Sequence, residues 1–341
     1  MRNTVWLADL THTGQSIASD TVPAAVGMIA EALSVLCPLV DHINVFKFPE
    51  ALARELDNGP PKVLGLSNYI WNFRLSSKVA QIIKSSFPNV IIVMGGPNFP
   101  TDSREEQQFF LENPWIDYYI VKEAELAMCA LVNALIACQY KNRLVDISRI
   151  PNLVAYRDGT LISCGKSERV NDLNQFPSPY LTGRLDPFLN GSLMPVIQTN
   201  RGCPFSCAFC TEGQTFWNKV RKKSPDLVAK EISHIANTLA KLPRADQRGD
   251  LLIADSNFGM FSEDLETCDA IAKVQEQLGY PSYINVATGK NKKERVLEAA
   301  RRVNGAMKLA GSVQSLDPEV QRNMKRSNIS AEEIVSLALQ A

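Results

Sequence analysis

The chain has 341 residues, with 36 basic side chains balanced by 36 acidic ones. This length is enough for two domains that each bury a core, and the balanced charge leaves no net field to attract a nucleic-acid backbone or an anionic membrane surface. The N-terminus lacks the basic start and apolar run of a signal peptide, and no stretch reaches the roughly 18 apolar residues of a membrane span. We therefore expect a cytoplasmic protein that binds neither nucleic acid nor membranes, with its eight cysteines reduced.

In the first 140 residues, short β-rich apolar runs alternate with stretches in which apolar residues recur at helical spacing. This alternation predicts an α/β fold with a doubly wound, Rossmann-like parallel sheet, whose ligands bind beyond the carboxyl ends of the strands. The predicted strands are 4–8, 43–46, 63–66, 90–94 and 118–121, and the predicted helices are 23–36, 50–57, 76–87 and 103–111.

Polar and glycine-rich segments follow these strands and should share one rim of the sheet. Gly95 and Gly96 fit an ordinary strand-to-loop turn that needs a positive φ, and they equally fit a place where a flat ligand lies against the backbone. Tyr69 and Trp71 alternate along an extended segment, which fits either core aromatics or ligand contacts. The rim segments are 9–14, 67–72, 95–97 and 123–125.

Residues 141–194 differ in character from the segments on either side. An Asp158-Gly159 pair between two apolar runs predicts a β-hairpin, and prolines within 176–187 then interrupt regular structure. We therefore predict a hairpin and linker between a first domain, 1–140, and a second domain, 195–341.

From residue 195 onwards, strands and helices alternate again. Four βα units in series predict part of a βα barrel, in which chemistry gathers at the carboxyl ends of the strands. The predicted strands are 196–199, 251–254, 283–286 and 307–313, and the predicted helices are 225–242, 262–278, 292–303, 318–325 and 331–339.

Three cysteines, Cys203, Cys207 and Cys210, occupy one loop directly after the first of these strands. Three soft thiolates fit a 4Fe-4S cluster that leaves one iron open to a substrate, because such a cluster is normally held by four cysteines. Structural zinc, the alternative, would need a distant fourth ligand, since His234 lies within a predicted helix. The other five cysteines show no cluster spacing.

The CxxxCxxC loop, with Arg201-Gly202 before it and Phe209 before the last cysteine, resembles the radical S-adenosylmethionine superfamily. The resemblance implies that the three thiolates hold the cluster, that S-adenosylmethionine binds at the open iron, and that its reductive cleavage yields methionine and a 5'-deoxyadenosyl radical. It also implies cofactor contacts at Phe209, Asp255, Ser312 and Gln314. Asp255 would alternatively cap the next helix.

The order of a doubly wound domain, a linker and this barrel resembles the cobalamin-binding subgroup of the superfamily. Domains of this kind usually carry a DxHxxG loop whose histidine ligates cobalt, whereas the loop between Asp9 and Gly14 places His12 one residue late. We therefore expect cobalamin to bind without a ligand from His12, with water or a side chain near 69–71 facing the metal. The resemblance implies corrinoid contacts at Thr11, Asn68, Trp71, Gly95, Gly96 and Pro97.

The leading hypothesis for function is a cobalamin-dependent methyltransferase. The radical would abstract hydrogen from an unactivated carbon of a small-molecule substrate, and the corrinoid would supply the methyl group. The cluster would take electrons from a donor such as flavodoxin or ferredoxin. The alternatives are a related enzyme that catalyses rearrangement, cyclisation or oxidation, and a non-catalytic cluster and corrinoid carrier.

The C-terminal end of the barrel is predicted to be incomplete. Barrels of the superfamily usually have more βα units than the four predicted here, and helix 331–339 has no C-cap or stop signal. An unpaired parallel strand edge is costly. We therefore expect a truncated sequence, or a short barrel that a partner completes.

Overall fold

The computed structural model contains two compact units. The first runs to Val170 and adds Phe176–Leu185, and the second combines Asn171–Gln175 with the chain from Asp186 onwards. None of the helices in the described part of the chain has the length and apolar character needed to cross a bilayer. The structure describes residues 2–289, 291–309, 313–326 and 330–340.

The first unit is built on one mixed sheet with helices between its parallel strands. Each predicted strand forms within a residue or two of its expected bounds, because continuous apolar runs suit strands that are buried on both faces. The strands are β1 (Thr4–Ala8), β2 (His42–Phe46), β3 (Val63–Ser67), β4 (Ile91–Gly95), β5 (Tyr118–Ile120), β6 (Leu153–Arg157) and β7 (Thr160–Ser163), and the helices are α1 (Ala24–Leu36), α2 (Pro49–Leu56), α3 (Phe73–Ser86), α4 (Ser103–Glu112) and α5 (Glu125–Ala137).

The strand order within the described residues is β2-β1-β3-β4-β5-β6-β7. The first five strands are parallel, and the last two run antiparallel to their neighbours. Sheets that begin with the order 2-1-3-4-5 bind ligands at the switch point between β1 and β3. The α/β, doubly wound prediction is confirmed, and the switch point marks where a ligand is expected.

The hairpin is the main departure from the predicted organisation. Its two strands form as expected, but they do not belong to a linker, because β6 pairs with β5 through Tyr119 and Val154 and so extends the first sheet. A strand edge with free backbone donors and acceptors favours such pairing. The hairpin therefore belongs to the first compact unit.

The core of the first unit lies on both faces of the sheet. Side chains of successive strand residues point to opposite faces, so Leu7 joins one apolar cluster and Trp6 the other. Helices α1 and α5 cover the first cluster, with Leu33 fully buried, while α3 and α4 cover the second, with Phe109 at its edge. Burial of each such side chain contributes about 1.5–3 kcal/mol.

The second unit contains a three-stranded parallel sheet in the described residues, ordered β12-β11-β8. A parallel bridge from Ile284 to Met307 continues this sheet where the sequence predicts a fourth strand. The partial barrel itself stays a prediction. The strands are β8 (Val196–Ile197), β9 (Asn200–Arg201), β10 (Arg221–Lys222), β11 (Asp250–Phe258) and β12 (Tyr283–Thr288), and the helices are α6 (Pro225–Leu239), α7 (Ser262–Leu278), α8 (Lys293–Arg302), α9 (Pro318–Asn323) and α10 (Ala331–Gln340).

Candidate functional site

At the switch point of the first sheet, Asp9 ties the ends of neighbouring strands together. Its carboxylate accepts hydrogen bonds from Nζ of Lys47 at 2.8 Å, Oγ of Ser67 at 2.6 Å and Nδ2 of Asn72 at 3.3 Å. Lys47 is only 1% exposed, so solvent screens this ion pair little. Asp9 therefore fixes the rim where β1 and β3 end.

A second hydrogen-bond network joins the ends of β3, β4 and β5. Nδ2 of Asn68 donates to the backbone oxygen of Asn98 at 2.6 Å and to the Tyr119 hydroxyl at 3.0 Å, and that hydroxyl donates to the backbone oxygen of Gly96 at 2.8 Å. Gly96 has a φ of +134°, and a Cβ there would lie 2.4 Å from the backbone oxygen of Asn68. The neighbouring backbone alone therefore requires glycine at this position.

An open cleft of about 630 Å³ lies at this rim. Two of the predicted corrinoid residues, Trp71 and Pro97, line it, as does His12. Trp71 is 53% exposed and stacks on Tyr69, with ring centroids 4.6 Å apart and planes inclined by 6°. Phe73, Phe99 and Phe109 add aromatic side chains to the wall of the cleft, which suits a ligand with a flat, largely apolar face.

The other predicted corrinoid residues lie behind the cleft surface. The Thr11 side chain is buried, and its hydroxyl accepts a hydrogen bond from the backbone N of Ser19 at 2.8 Å. Asn68 is fully buried within the network described above. A Cβ at Gly95 would lie 3.3 Å from the backbone oxygen of Ile120. The structure therefore gives these residues a part in shaping the rim, and their contact with a corrinoid stays a prediction.

In the second unit, the cysteine loop (residues 203–210) is folded by its own backbone. The N–H of Cys203 donates to the oxygen of Trp217 at 3.0 Å, and the N–H of Cys210 donates to the oxygen of Cys207 at 3.1 Å. All three cysteines are free thiols; Cys207 is buried, Cys203 is partly buried and Cys210 is exposed. A Cβ at Gly213 would lie 2.1 Å from the Cys207 oxygen, so glycine is required where the loop closes.

Nitrogen donors approach two of the three sulfurs. Nδ2 of Asn257 lies 3.2 Å from Sγ of Cys203, and Nη1 of Arg326 lies 3.6 Å from Sγ of Cys207. Among the residues that the structure describes, no three His, Cys, Asp or Glu side chains converge around a point where a single metal ion would sit. The donor set is three soft thiolates with N–H donors beside them, and this chemistry suits an anionic iron–sulfur cluster.

Asp255, a predicted S-adenosylmethionine contact, is buried and fully engaged within the protein. Oδ1 accepts from the backbone N of Thr199 at 2.9 Å and of Asn200 at 3.2 Å, and Oδ2 accepts from both side chains. Burial raises the pKa of Asp255 to about 6, despite these hydrogen bonds. The alternative in which Asp255 caps the next helix is wrong, because α7 begins at Ser262. The backbone N–H of Phe261, directly before α7, donates to the carboxylate of Asp264.

The remaining predicted cofactor residues lie near the loop or outside the described chain. The Phe209 ring is 52% exposed, with the Arg326 guanidinium 5.7 Å from its centroid. Gln314 has a φ of +64°, which is uncommon for a residue with a side chain. Ser312 lies outside the described residues. Contacts between these residues and S-adenosylmethionine stay predictions.

Sequence reasoning missed several residues that surround the cysteine loop. Asn257 stands two positions after Asp255, but only the carboxylate was singled out because it resembles a ligand. Arg326 follows α9 and has no spacing relationship to the cysteines. Ser256, in the bulged part of β11, donates a hydrogen bond to Glu212, which follows the cysteine loop. No local sequence pattern indicates this contact.

Comparison with known proteins finds a family model that matches the first domain and relatives that match most of the chain. Residues 11–132 match the family model of the B12 binding domain. The chain is 34% identical over 294 residues to the cobalamin-dependent radical SAM methyltransferase TokK of Streptomyces tokunonensis, covering 83% of this chain and 41% of that protein. It is 33% identical over 282 residues to the 2-(S-pantetheinyl)-carbapenam-3-carboxylate methyltransferase of Streptantibioticus cattleyicolor, covering 80% and 39%. The chain thus spans about two fifths of the length of these relatives.

Two solved structures share the fold. The cobalamin-dependent S-adenosylmethionine radical enzyme OxsB, with aqua-cobalamin and S-adenosylmethionine bound, superimposes with a TM-score of 0.69 at 17% identity, covering 98% of this chain and 47% of that one. The radical S-adenosylmethionine methyltransferase TsrM from Kitasatospora setae gives a TM-score of 0.70 at 15% identity, covering 99% and 65%. Over 83% of its length the chain is thus similar to a cobalamin-dependent radical S-adenosylmethionine methyltransferase, and its first domain matches a B12 binding domain.

Proposed function

We propose that the chain acts in a cobalamin-dependent radical S-adenosylmethionine methyltransferase that methylates an unactivated carbon of a small molecule. The observation that carries this proposal is the cysteine loop, which presents three free thiols after β8 and β9 in a chain whose first domain matches a B12 binding domain. The two relatives described above are methyltransferases by name, which supports methyl transfer over rearrangement, cyclisation, oxidation or a carrier role.

Cys203, Cys207 and Cys210 would hold a 4Fe-4S cluster, and the rim cleft of the first unit would hold the corrinoid. When bound, the cluster would supply the electron that cleaves S-adenosylmethionine, and the corrinoid would supply the methyl group. Around the thiols, this chain contributes the backbone hydrogen bonds that shape the loop and the two N–H donors at the sulfurs. An external one-electron donor such as flavodoxin or ferredoxin would reduce the cluster.

In the cleft, the protein contributes shape rather than a strong metal ligand. The stacked pair of Tyr69 and Trp71 forms a rigid aromatic wall, and Pro97 adds a second wall that loses no rotamer freedom on binding. His12 lines the cleft and is exposed. We expect that His12 would not ligate cobalt in a bound corrinoid, and that water or a side chain of the 69–71 segment would take that role.

The test is anaerobic reconstitution of the chain with iron, sulfide and hydroxocobalamin, followed by reduction with S-adenosylmethionine present. Methyl transfer predicts about four iron per chain, together with both S-adenosylhomocysteine and 5'-deoxyadenosine as products. Formation of 5'-deoxyadenosine without S-adenosylhomocysteine would favour the rearrangement alternative. An intact cluster that yields neither product, in a chain extended to the length of these relatives, would favour the carrier.

A further inference from the structure

The two nitrogen donors beside the cysteine loop come from elements far from it in sequence. Asn257 belongs to β11, and Arg326 follows α9. We propose that Asn257 and Arg326 are positioning residues that donate to the sulfurs of Cys203 and Cys207 and thereby set the reduction potential of the cluster. This inference rests on the proposed function, because it requires a cluster on these thiolates.

Asn257 is held in place by its neighbours along β11. Two residues earlier, Asp255 anchors the strand through four hydrogen bonds to Thr199 and Asn200. The backbone oxygen of Asn257 accepts a hydrogen bond from the N–H of Met260 at 3.2 Å. Asn257 is only 7% exposed. The amide that reaches Cys203 Sγ at 3.2 Å is therefore fixed on a rigid segment and shielded from water.

Arg326 contacts Cys207 from the segment after α9, which also accepts a hydrogen bond from the backbone of the cysteine loop. The N–H of Ala208 donates to the oxygen of Met324 at 2.9 Å, and the Arg326 guanidinium lies 5.7 Å from the centroid of the Phe209 ring. Arginine carries a permanent charge on a planar group, so it brings both a donor and a positive field to the sulfur. These contacts orient the guanidinium toward the buried Cys207.

Both donors should make the cluster easier to reduce. An N–H group that donates to a thiolate withdraws electron density from the sulfur, and a nearby positive charge stabilises the reduced cluster, which is the more negative state. Because Cys207 and Asn257 are buried, the interactions act in a low-dielectric region where they are strong. Removal of either donor is therefore expected to lower the reduction potential.

The experiment measures the potential directly, by titrations monitored by electron paramagnetic resonance on the reconstituted 341-residue chain. We expect Asn257→Leu, which keeps the size but removes the donor, and Arg326→Gln, which removes the charge, each to reduce the fraction of reduced cluster up to about tenfold at fixed ambient potential, equivalent to about 59 mV. Arg326→Lys should recover part of the loss. Arg322→Gln, an exposed change of the same charge on α9, is the control and should have no effect.

The outcomes separate this inference from the proposed function. A full complement of iron with an unchanged potential in both Asn257→Leu and Arg326→Gln would overturn the inference and leave the function standing. Loss of the cluster in both variants would also overturn it, because the donors would then serve assembly rather than the potential. If only one variant loses the cluster, the potential of the other decides. An unmodified chain that takes up no cluster would overturn both proposals.

Discussion

Gly213 closes the cysteine loop, and its replacement by alanine is the most direct structural perturbation of the thiol geometry. The added Cβ would lie 2.1 Å from the backbone oxygen of Cys207. Because real contacts of this kind are essentially never closer than 3.0 Å, one of the two backbones must shift by roughly 1 Å, and a close-packed loop has little room for this. Neither partner is a flexible side-chain end, so the strain falls on the segment that carries Cys207.

We expect the shift to cost about 1–3 kcal/mol, as overpacking usually does, and to appear as roughly 5- to 150-fold weaker cluster retention. The assay is iron release to a chelator from anaerobically reconstituted Gly213→Ala, followed by the visible absorption of the cluster. Gly14→Ala is the matched control, since nothing lies within 4 Å of its added Cβ. If Gly213→Ala retained iron as well as the unmodified chain, the geometry of the loop would not govern cluster retention.

Further predictions concern the cluster ligands, the corrinoid and the rim. Alanine at any one of the three loop cysteines should abolish the iron content, whereas Cys268→Ala should preserve it; full iron in all three loop variants would refute thiolate ligation. By equilibrium dialysis with hydroxocobalamin, His12→Ala should bind almost normally, while a bulky residue at Gly96 should bind poorly because it displaces the Asn68 backbone; strong dependence on His12 would identify it as the axial ligand. Lys47→Met removes the cation from the partly buried Asp9 carboxylate, which keeps its hydrogen bonds from Ser67 and Asn72, and should cost about 1–3 kcal/mol in urea unfolding, in contrast to the exposed Lys230→Met.

The sequence was sufficient to predict the strands of the first unit, and it singles out three cysteines whose role as cluster ligands stays a prediction. Runs such as Ile91–Gly95 are apolar throughout because both faces are buried, and this pattern is local. The pairing of the hairpin was not local, since nothing within 153–163 specifies that β6 joins β5. The hairpin itself is therefore predictable from the sequence, whereas the strand with which it pairs is not.

The surroundings of the loop could not be predicted for the same reason. Asn257 and Arg326 lie 54 and 119 residues from the cysteines that they contact, and such pairs leave no periodic signal. Asp255 was identified from its position after a strand, but a carboxylate there looks the same whether it meets a ligand or the backbone of Asn200. The sequence predicts that Gly96 has a backbone conformation that favours glycine. The Asn68 backbone, which an added Cβ would meet, is apparent only in three dimensions.

The contacts of the cysteine loop with Met324 and Arg326, directly after α9, also constrain the order of events during synthesis. Arg326 leaves the ribosome 119 residues after Cys207, which corresponds to roughly 6–24 s at ordinary elongation rates. During that interval the nascent loop has neither the Met324 carbonyl nor the guanidinium that hold it in the finished protein. Stable insertion of iron and sulfide is therefore expected to follow translation of the segment directly after α9.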